Sequence, residues 1–350
     1  MSPSIHIHLT KYSYNLVYLN SLVQNQDMTS MAVSKVFSAD QKLIDVINKT
    51  NIKYIGDSRI QNLIHMKTEK EKVLLRTPLL SEIVDVVKHV DISLNSEIEV
   101  IRALDKEAGK QNKKHQIILM FDIGDLREGI YYQSDYIPVV KQILELKNIE
   151  FSGIGTNLTC YGGVIPTFET LKKLENIKLD IEKTFAIPIK IISGGNSSSI
   201  KLVLDETMPT FINNHRIGEG YVLGRETAYG NHIESMHDDV FTLQAEIIEL
   251  KEKPSMPEGL LGFDAFGKKV SFEDKGQMTR AILGVGRQDV HCEDLIAPKG
   301  IHVLGCSSDH LIVQIAGGKY KLGDTITFKL TYGGILSLMT SPYVRRVYET

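Results

Sequence analysis

The chain reads as an α/β protein: a (β/α)8 TIM-type barrel over residues 1–235, then a mostly β domain over residues 236–350. Two observations predict this. Short β-rich runs alternate with longer helical patterns through the first two thirds of the chain. Past about residue 235 the helical patterning stops, and strands punctuated by Gly and Pro take over. Eight regular alternations over about 220 residues favour a closed barrel over a doubly wound open sheet.

The barrel strands are expected at SMAVSKVF (30–37), IKYIGD (52–57), KVLLRT (72–77), HVDISL (89–94), HQIILMFD (115–122), EFSGIGTNL (150–158), IKIISG (189–194) and TFINNHRIG (210–218). Between them, LLSEIVDVVKHV, SEIEVIRALDKEAGK and TFETLKKLENIKLDIEKTF carry apolar residues at three- and four-residue spacings, the mark of a helix with one buried face. Ahead of the barrel lie a short strand, in which HIH (6–8) reads as alternation, and a helix. The β domain reads from FTLQAEIIELKE through GIHVLGC and HLIVQIAGG to ITFKL, with Pro254, Pro257, Gly259, Pro298 and Gly300 as breaks.

Bulk properties narrow the partners. At 42% hydrophobic and 24% charged, with a net charge of -3, the chain has a globular profile and no general pull toward nucleic acid or acidic membranes. No apolar run reaches transmembrane length, and the N-terminus lacks a basic start followed by a long apolar stretch, so neither a membrane span nor a leader is expected. Three cysteines are too few for a disulfide framework and point to a reducing, cytoplasmic setting.

Catalytic groups of such barrels sit where strands end and βα loops begin. The first strand ends in Lys35, the fifth in FDIGDLREG with Arg127, the sixth in GTNLTCYGG, the seventh in SGGNSSS (193–199) and the eighth in HRIGEG (215–220). SGGNSSS offers two glycines, an Asn and hydroxyls before a helix, which suits an anion as well as a plain N-cap. With the neighbouring glycine turn of RIGEG, a phosphate site is favoured. Lys35, sharing a strand face with Val33 and Phe37, reads as a partly desolvated lysine able to form a Schiff base. Phosphate plus such a lysine fits pyridoxal phosphate (PLP), or equally an aldolase-type reaction on a sugar phosphate.

The motifs SKVF, YIGDSRIQNL, LLRTPLLSE, DISLNSE, FDIGDLREG, SGGNSSS and RIGEG stand in that order between residues 34 and 220. On them the sequence resembles the alanine racemase-like, fold type III PLP enzymes, most closely the alanine/ornithine racemase branch. The resemblance implies roles. Lys35 matches the lysine that holds PLP and acts as one base. Arg216 matches the arginine facing the pyridine nitrogen. Ser197, with the backbone of Gly218 and Glu219, matches the phosphate cradle, and Ser193 counts among the cofactor-binding residues. Asn157 stands where the racemases place a His against the ring. Arg127 matches an arginine near the ring oxygen and substrate carboxylate, and Tyr332 a tyrosine close to the phosphate. Decarboxylases of this fold place a carboxylate where Arg216 stands, so Arg216 favours a racemase.

One position departs from the pattern. Racemisation by two bases needs a group opposite Lys35, which alanine racemase takes from a tyrosine of the partner's β domain; Val285 stands there and carries no proton. Cys306 in GCSSDHL is the first candidate for the second base, and Asp309 or Asp289 could meet the distal amine of a basic substrate. His291, Cys292 and Cys306 invite a zinc reading, but an adjacent His–Cys pair lacks the spacing of a structural site, so no metal is expected. The expected protein is a cytoplasmic, head-to-tail homodimeric racemase acting on ornithine, lysine or alanine. The alternatives are a basic amino-acid decarboxylase and a non-catalytic PLP-homeostasis protein.

Overall fold

The computed structural model describes residues 3–264, 266–267 and 269–350. The chain opens with β1 (Ser4–His8) and α1 (Leu9–Gln24). It then alternates as β2 (Thr29–Val33), α2 (Gln41–Asn48), β3 (Tyr54–Asp57), α3 (Ile60–His65), β4 (Glu71–Leu74), α4 (Ile83–His89), β5 (Ile92–Asn95), α5 (Ile98–Lys110) and β6 (His115–Asp122). After a two-residue β7 (Ile130–Tyr131) come α6 (Ile137–Leu144), β8 (Ile149–Gly155), α7 (Phe168–Phe185), β9 (Ile191–Ser193), α8 (Ile200–Leu204), β10 (Asn214–Ile217) and α9 (Glu219–Leu223). Parallel pairing runs in the order β5-β4-β3-β2-β10-β9-β8-β6, and a β5–β6 pairing closes the ring; β7 lies outside it, on β6. All eight strands of the expected barrel are present.

The helices form for the reason their spacing predicts. In α7, Leu171, Leu174, Ile177 and Ile181 fall on one face and are buried. Thr167 caps its start by accepting the Thr170 N–H at 3.1 Å, and Ala186, in the left-handed region at φ 54°, ends it. Each fully buried Leu or Ile contributes about 1.5–3 kcal/mol, so packing rather than propensity holds these helices. Inside the ring, Met31, Tyr54, Val73, Ile92, Leu94, Ile118 and Met120 form one buried cluster drawn from β2 to β6.

The second unit gathers residues up to Lys11 with Asp239–Thr350. Its strands are β11 (Phe241–Pro254), β12 (Gln277–Leu283), β13 (Leu295–Ile296), β14 (Ile301–Cys306), β15 (Leu311–Ile315), β16 (Thr325–Leu330) and β17 (Arg345–Glu349), with one helix, α10 (Tyr332–Thr340). The main sheet runs β13-β16-β11-β12-β15-β14, antiparallel throughout. The strand ahead of the barrel, which the sequence left beside either the barrel or the β domain, lies with the β domain: β1 pairs antiparallel with β11 and parallel with β17. Its alternating sequence marks a strand, but five residues of alternation do not name a partner. Among the described residues, no helix is long and apolar enough to cross a membrane.

Candidate active site

The carboxyl ends of the barrel strands carry a connected polar network, with Arg216 at its centre. Arg216 lies opposite Met31 in the β10–β2 register, so its side chain shares the inward face of that core residue. It is 4% exposed. Its guanidinium donates to the Ser193 hydroxyl, to the Thr156 carbonyl and, at 2.6 Å, to Oδ1 of Asn157. The Ser193 hydroxyl passes its own hydrogen to Asn214 Oδ1 at 2.8 Å. Three acceptors spread over 156, 157 and 193 suit the rigid fork of an arginine, where a lysine would offer one point. Burial pulls the Arg216 guanidinium down to about 10, with Glu128 acting in the opposite sense, so it stays charged at neutral pH.

The network continues through a residue whose part the sequence does not reveal. Asn157 Nδ2 donates to Glu128 Oε1, and Glu128 is also held by Arg127, at 2.6 Å from Nη2. Glu128 thus bridges Asn157 and Arg127, although in FDIGDLREG it looks like ordinary surface charge. Burial opposes the charge on Arg127, but its contact with Glu128 outweighs this and holds the guanidinium above its ordinary range. Asp125, nearly fully buried, accepts the N–H groups of Thr159, Cys160, Tyr161 and Val164. Its burial disfavours charge, yet those four donors keep the carboxyl below the usual range and fix the loop that follows Asn157. That loop brings Cys160 Sγ to 3.2 Å from Asn196 Nδ2, a proximity invisible in the sequence.

The two glycine-rich loops are pinned to each other. The Ser197 hydroxyl accepts the N–H of Gly218 at 3.3 Å and of Gly220 at 3.1 Å. Asn196 caps the Ser197–Ser199 turn by accepting the Ser198 N–H at 2.8 Å. Geometry requires glycine at one position here and favours it at another. Gly195 has φ +122°, and a Cβ on it would meet the Ser199 hydroxyl at 2.6 Å; a Cβ on Gly218 would meet Val33 Cβ at 3.1 Å. The Glu219 carboxylate turns to Arg225, accepting from its Nε at 2.8 Å.

Lys35 stands at the end of β2, but not as the sequence suggests. The strand stops at Val33, and Lys35 opens a 3-10 turn over Lys35–Phe37, so Val33, Lys35 and Phe37 do not line one strand face. In the single chain Lys35 is exposed rather than buried. The turn is anchored from behind. Ser34 is fully buried, its N–H donates to the Gly56 carbonyl at 2.9 Å, and its hydroxyl donates to Asp57 Oδ2 at 2.7 Å. Asp57 is itself buried, which raises its pKa, while Ser34, the Arg59 N–H and Asn62 push the other way by hydrogen bonding. Ser38 and Ala39 then follow one another in the left-handed region, at φ 51° and 50°. That conformation costs roughly 1–2 kcal/mol per non-glycine residue. Such stored strain beside a reactive side chain is a common mark of a functional turn.

The candidates of the second unit fall into three settings. Asp289 is 4% exposed and accepts the Ser341 hydroxyl at 2.7 Å, so it ties its turn to the segment after α10. Asp309 is exposed, and its Oδ1 accepts from the hydroxyls of Ser307 and Ser308 and meets His310. Contact with Ser308 leads in keeping its carboxyl below the usual range. The 286–288 and 307–309 loops run together: the Arg287 N–H donates to Ser307 O at 2.9 Å, and the Gln288 N–H to Ser308 O at 3.0 Å. Cys306 ends β14, where the Cys292–Asp294 turn packs. Burial, followed by contact with the Cys306 thiol, pushes Cys292 up to about 12. The neighbour of the Cys306 thiol is thus a second thiol. Val285, at the expected tyrosine position, is 1% exposed. Tyr332 begins α10, whose cap residue Thr331 accepts the Gly334 N–H at 3.3 Å and donates its hydroxyl to Asp294.

A barrel with this cradle, this arginine and this lysine turn can be compared with known proteins. Residues 7–223 match the family model for the alanine racemase, N-terminal domain. The chain belongs to the alanine racemase family. It is 45% identical over 350 residues to the ornithine racemase of Acetoanaerobium sticklandii, covering 99% of each chain. It is 38% identical over 352 residues to the lysine racemase of Thermotoga maritima, covering 99% of this chain and 98% of that one. The alanine racemase of Bartonella henselae, solved with covalently bound pyridoxal phosphate, superposes with a TM-score of 0.74 at 18% identity, over 99% of both chains. Full-length likeness of this order makes the chain an amino-acid racemase, an enzyme of the isomerase class.

Proposed function

We propose that this racemase interconverts the enantiomers of ornithine, or of a close basic amino acid such as lysine, with pyridoxal phosphate held by Lys35. The carrying observation is the setting of Arg216: a buried, permanently charged guanidinium on the inward face of β10, bonded to Ser193, Thr156 and Asn157. The full-length relative named for ornithine supports the substrate class. The residues fit the cofactor. Ser197 and the backbone of Gly218 and Glu219 would hold the phosphate, at the point where the Ser197 hydroxyl draws the two glycine-rich loops together and a Cβ on Gly195 would collide with Ser199.

When bound, pyridoxal phosphate acidifies the substrate α-hydrogen by delocalising the charge left on carbon. Lys35 would hold the cofactor covalently and take or return the α-proton at its Nζ, on one face. Arg216 would face the ring nitrogen and keep its own proton, which favours proton removal and return over loss of carbon dioxide. Arg127, oriented by Glu128, would meet the substrate carboxylate, and Asn157 the ring. Tyr332 would close on the phosphate. The proton on the other face would come from the β unit of a second copy in a head-to-tail homodimer, with Cys306 as donor and Asp309 meeting the distal ammonium. Three free thiols suit a cytoplasmic enzyme.

The test is incubation with a panel of L-amino acids in deuterated buffer, read by mass spectrometry for α-deuteration and by chiral chromatography for inversion. Ornithine should be both labelled and inverted, and Lys35→Ala should lower the rate by about 10³-fold or more. Racemisation that survives Lys35→Ala would sink the reading. Release of carbon dioxide and a diamine would replace it with a decarboxylase, and bound cofactor without turnover would replace it with a PLP carrier.

A further inference from the structure

The opposite end of the barrel carries a second concentration of positive charge, which the chemistry above does not use. Where β4, β5 and β6 begin, a recess of about 410 Å³ is lined by Lys70, Lys72, Lys88, Lys113, Lys114 and His89. The carboxylates on its wall are those of Glu69 and Asp91. Five lysines against two acids leave the recess net positive by three. The N-terminal face of such a barrel ordinarily serves stability, and a charge imbalance gathered there needs a cause.

Part of the cause is structural. Lys70 Nζ donates to the carbonyls of Thr50 and Ile52, at 2.8 and 2.6 Å, just past the end of α2. Lys72 Nζ donates to Leu63 O at 2.7 Å, in the last turn of α3. Lys113 Nζ donates to Lys88 O at 3.0 Å, in the last turn of α4. Helix C-termini present unpaired carbonyls and partial negative charge, and a lysine there is favourable. These contacts, however, hold the ammonium groups with neutral oxygens. Burial then works against the charge of Lys70 and Lys72, and together with Lys88 it lowers His89. The result is a set of cations around one hollow, Lys70 and Lys72 partly withdrawn from water and Lys88, Lys113 and Lys114 exposed. An ammonium has three donors, so a lysine resting on one or two carbonyls keeps donor capacity to offer.

We infer that this recess binds a small polyphosphate anion, such as a nucleoside triphosphate or inorganic tripolyphosphate. Lysines act as point charges toward phosphate oxygens without the planar fork that singles out one carboxylate. Cations arriving from the start of β4, the end of α4 and the loop before β6 match a ligand whose charge is spread over a chain of phosphates. The hollow also encloses more volume than a single phosphate fills.

The experiment is calorimetric titration of the protein as purified with inorganic tripolyphosphate and, separately, with ATP, in parallel with Lys88→Glu. Lys88 is exposed and lies at the far end of the barrel from the proposed cradle, so that variant should fold and racemise normally. Both ligands should bind, more weakly as salt rises, and Lys88→Glu should weaken binding about tenfold, or about 1.4 kcal/mol. Equal affinities would locate recognition in the phosphates, and tighter ATP binding would add a base contact in the recess; either supports the site. No heat and no melting shift with either ligand would overturn it, as would equal affinity in the wild type and Lys88→Glu. The readout is binding, so it stands or falls independently of the racemase reaction.

Discussion

The two ends of the barrel handle positive charge in opposite ways. At the carboxyl end, Arg216 is sunk into the core and wired to Ser193, Thr156 and Asn157, with Glu128 holding the next arginine. At the amino end, lysines rest on helix-end carbonyls and open into a hollow. One arrangement fixes a cation in orientation; the other keeps cations adjustable and short of counter-charge. A guanidinium fork suits a site that must position a reaction, and ammonium groups suit one that only attracts.

Arg216→Lys should break this contrast most severely. A lysine cannot span three acceptors, so at least two buried oxygens lose their partner, each costing about 1–3 kcal/mol. The expected outcome is a loss of about 3 kcal/mol in denaturant unfolding together with a large fall in racemisation. Wild-type stability and rate in Arg216→Lys would show that the wired arrangement has no consequence.

Acid should come next, because each region keeps a buried histidine neutral beside a cation. His115, which starts β6 near Lys113, is pushed down to about 4, and His215, next to Arg216, to about 3, in both cases chiefly by burial. Their folded values lie below the unfolded value of about 6.5, so the unfolded chain binds protons first as pH falls. Stability is therefore complete above about pH 6.5 and is lost as pH falls from there to about 4 for His115 and about 3 for His215, at up to about 1.4 kcal/mol per unit for each histidine. His115→Gln should flatten that acid slope by about one proton in unfolding curves taken across the range. An unchanged slope would mean that His115 is charged in the folded protein.

The smallest effect is expected at the lysine end. Lys72→Met keeps the aliphatic stem and removes the ammonium from the α3 terminus, which should cost about 0.3–1 kcal/mol in thermal unfolding without altering racemisation. A cost of several kcal/mol would make Lys72 as firmly wired as Arg216 and erase the distinction.

The eight barrel strands could be read from the sequence because each is a short β-rich run bounded by a helical pattern, and tertiary packing had nothing to override. The phosphate-type loops could be read because Gly195 and Gly218 stand where a side chain would collide. The turn at Lys35 could not. Its two left-handed residues are Ser38 and Ala39, and neither is the glycine or asparagine that announces such a conformation. Glu128 was hidden for a different reason. Its partner Asn157 lies 29 residues away, and a charge pair Arg127–Glu128 in a loop looks like solvated surface. Asp289 shows the same limit: from the sequence it could meet a substrate amine, while its hydrogen-bond partner, Ser341, lies 52 residues on.

The first strand of the chain has one further consequence. β1 (4–8) lies between β11 and β17 (345–349), so both of its partners come from beyond the barrel segment. While the barrel segment emerges and closes, SIHIH must wait with both hydrogen-bonding edges unsatisfied. The sheet it belongs to is finished only once β17 has been added. A nascent chain stalled before residue 345 would therefore carry a complete barrel and, ahead of it, a strand with one exposed, sticky edge, a species that chaperones would be expected to hold.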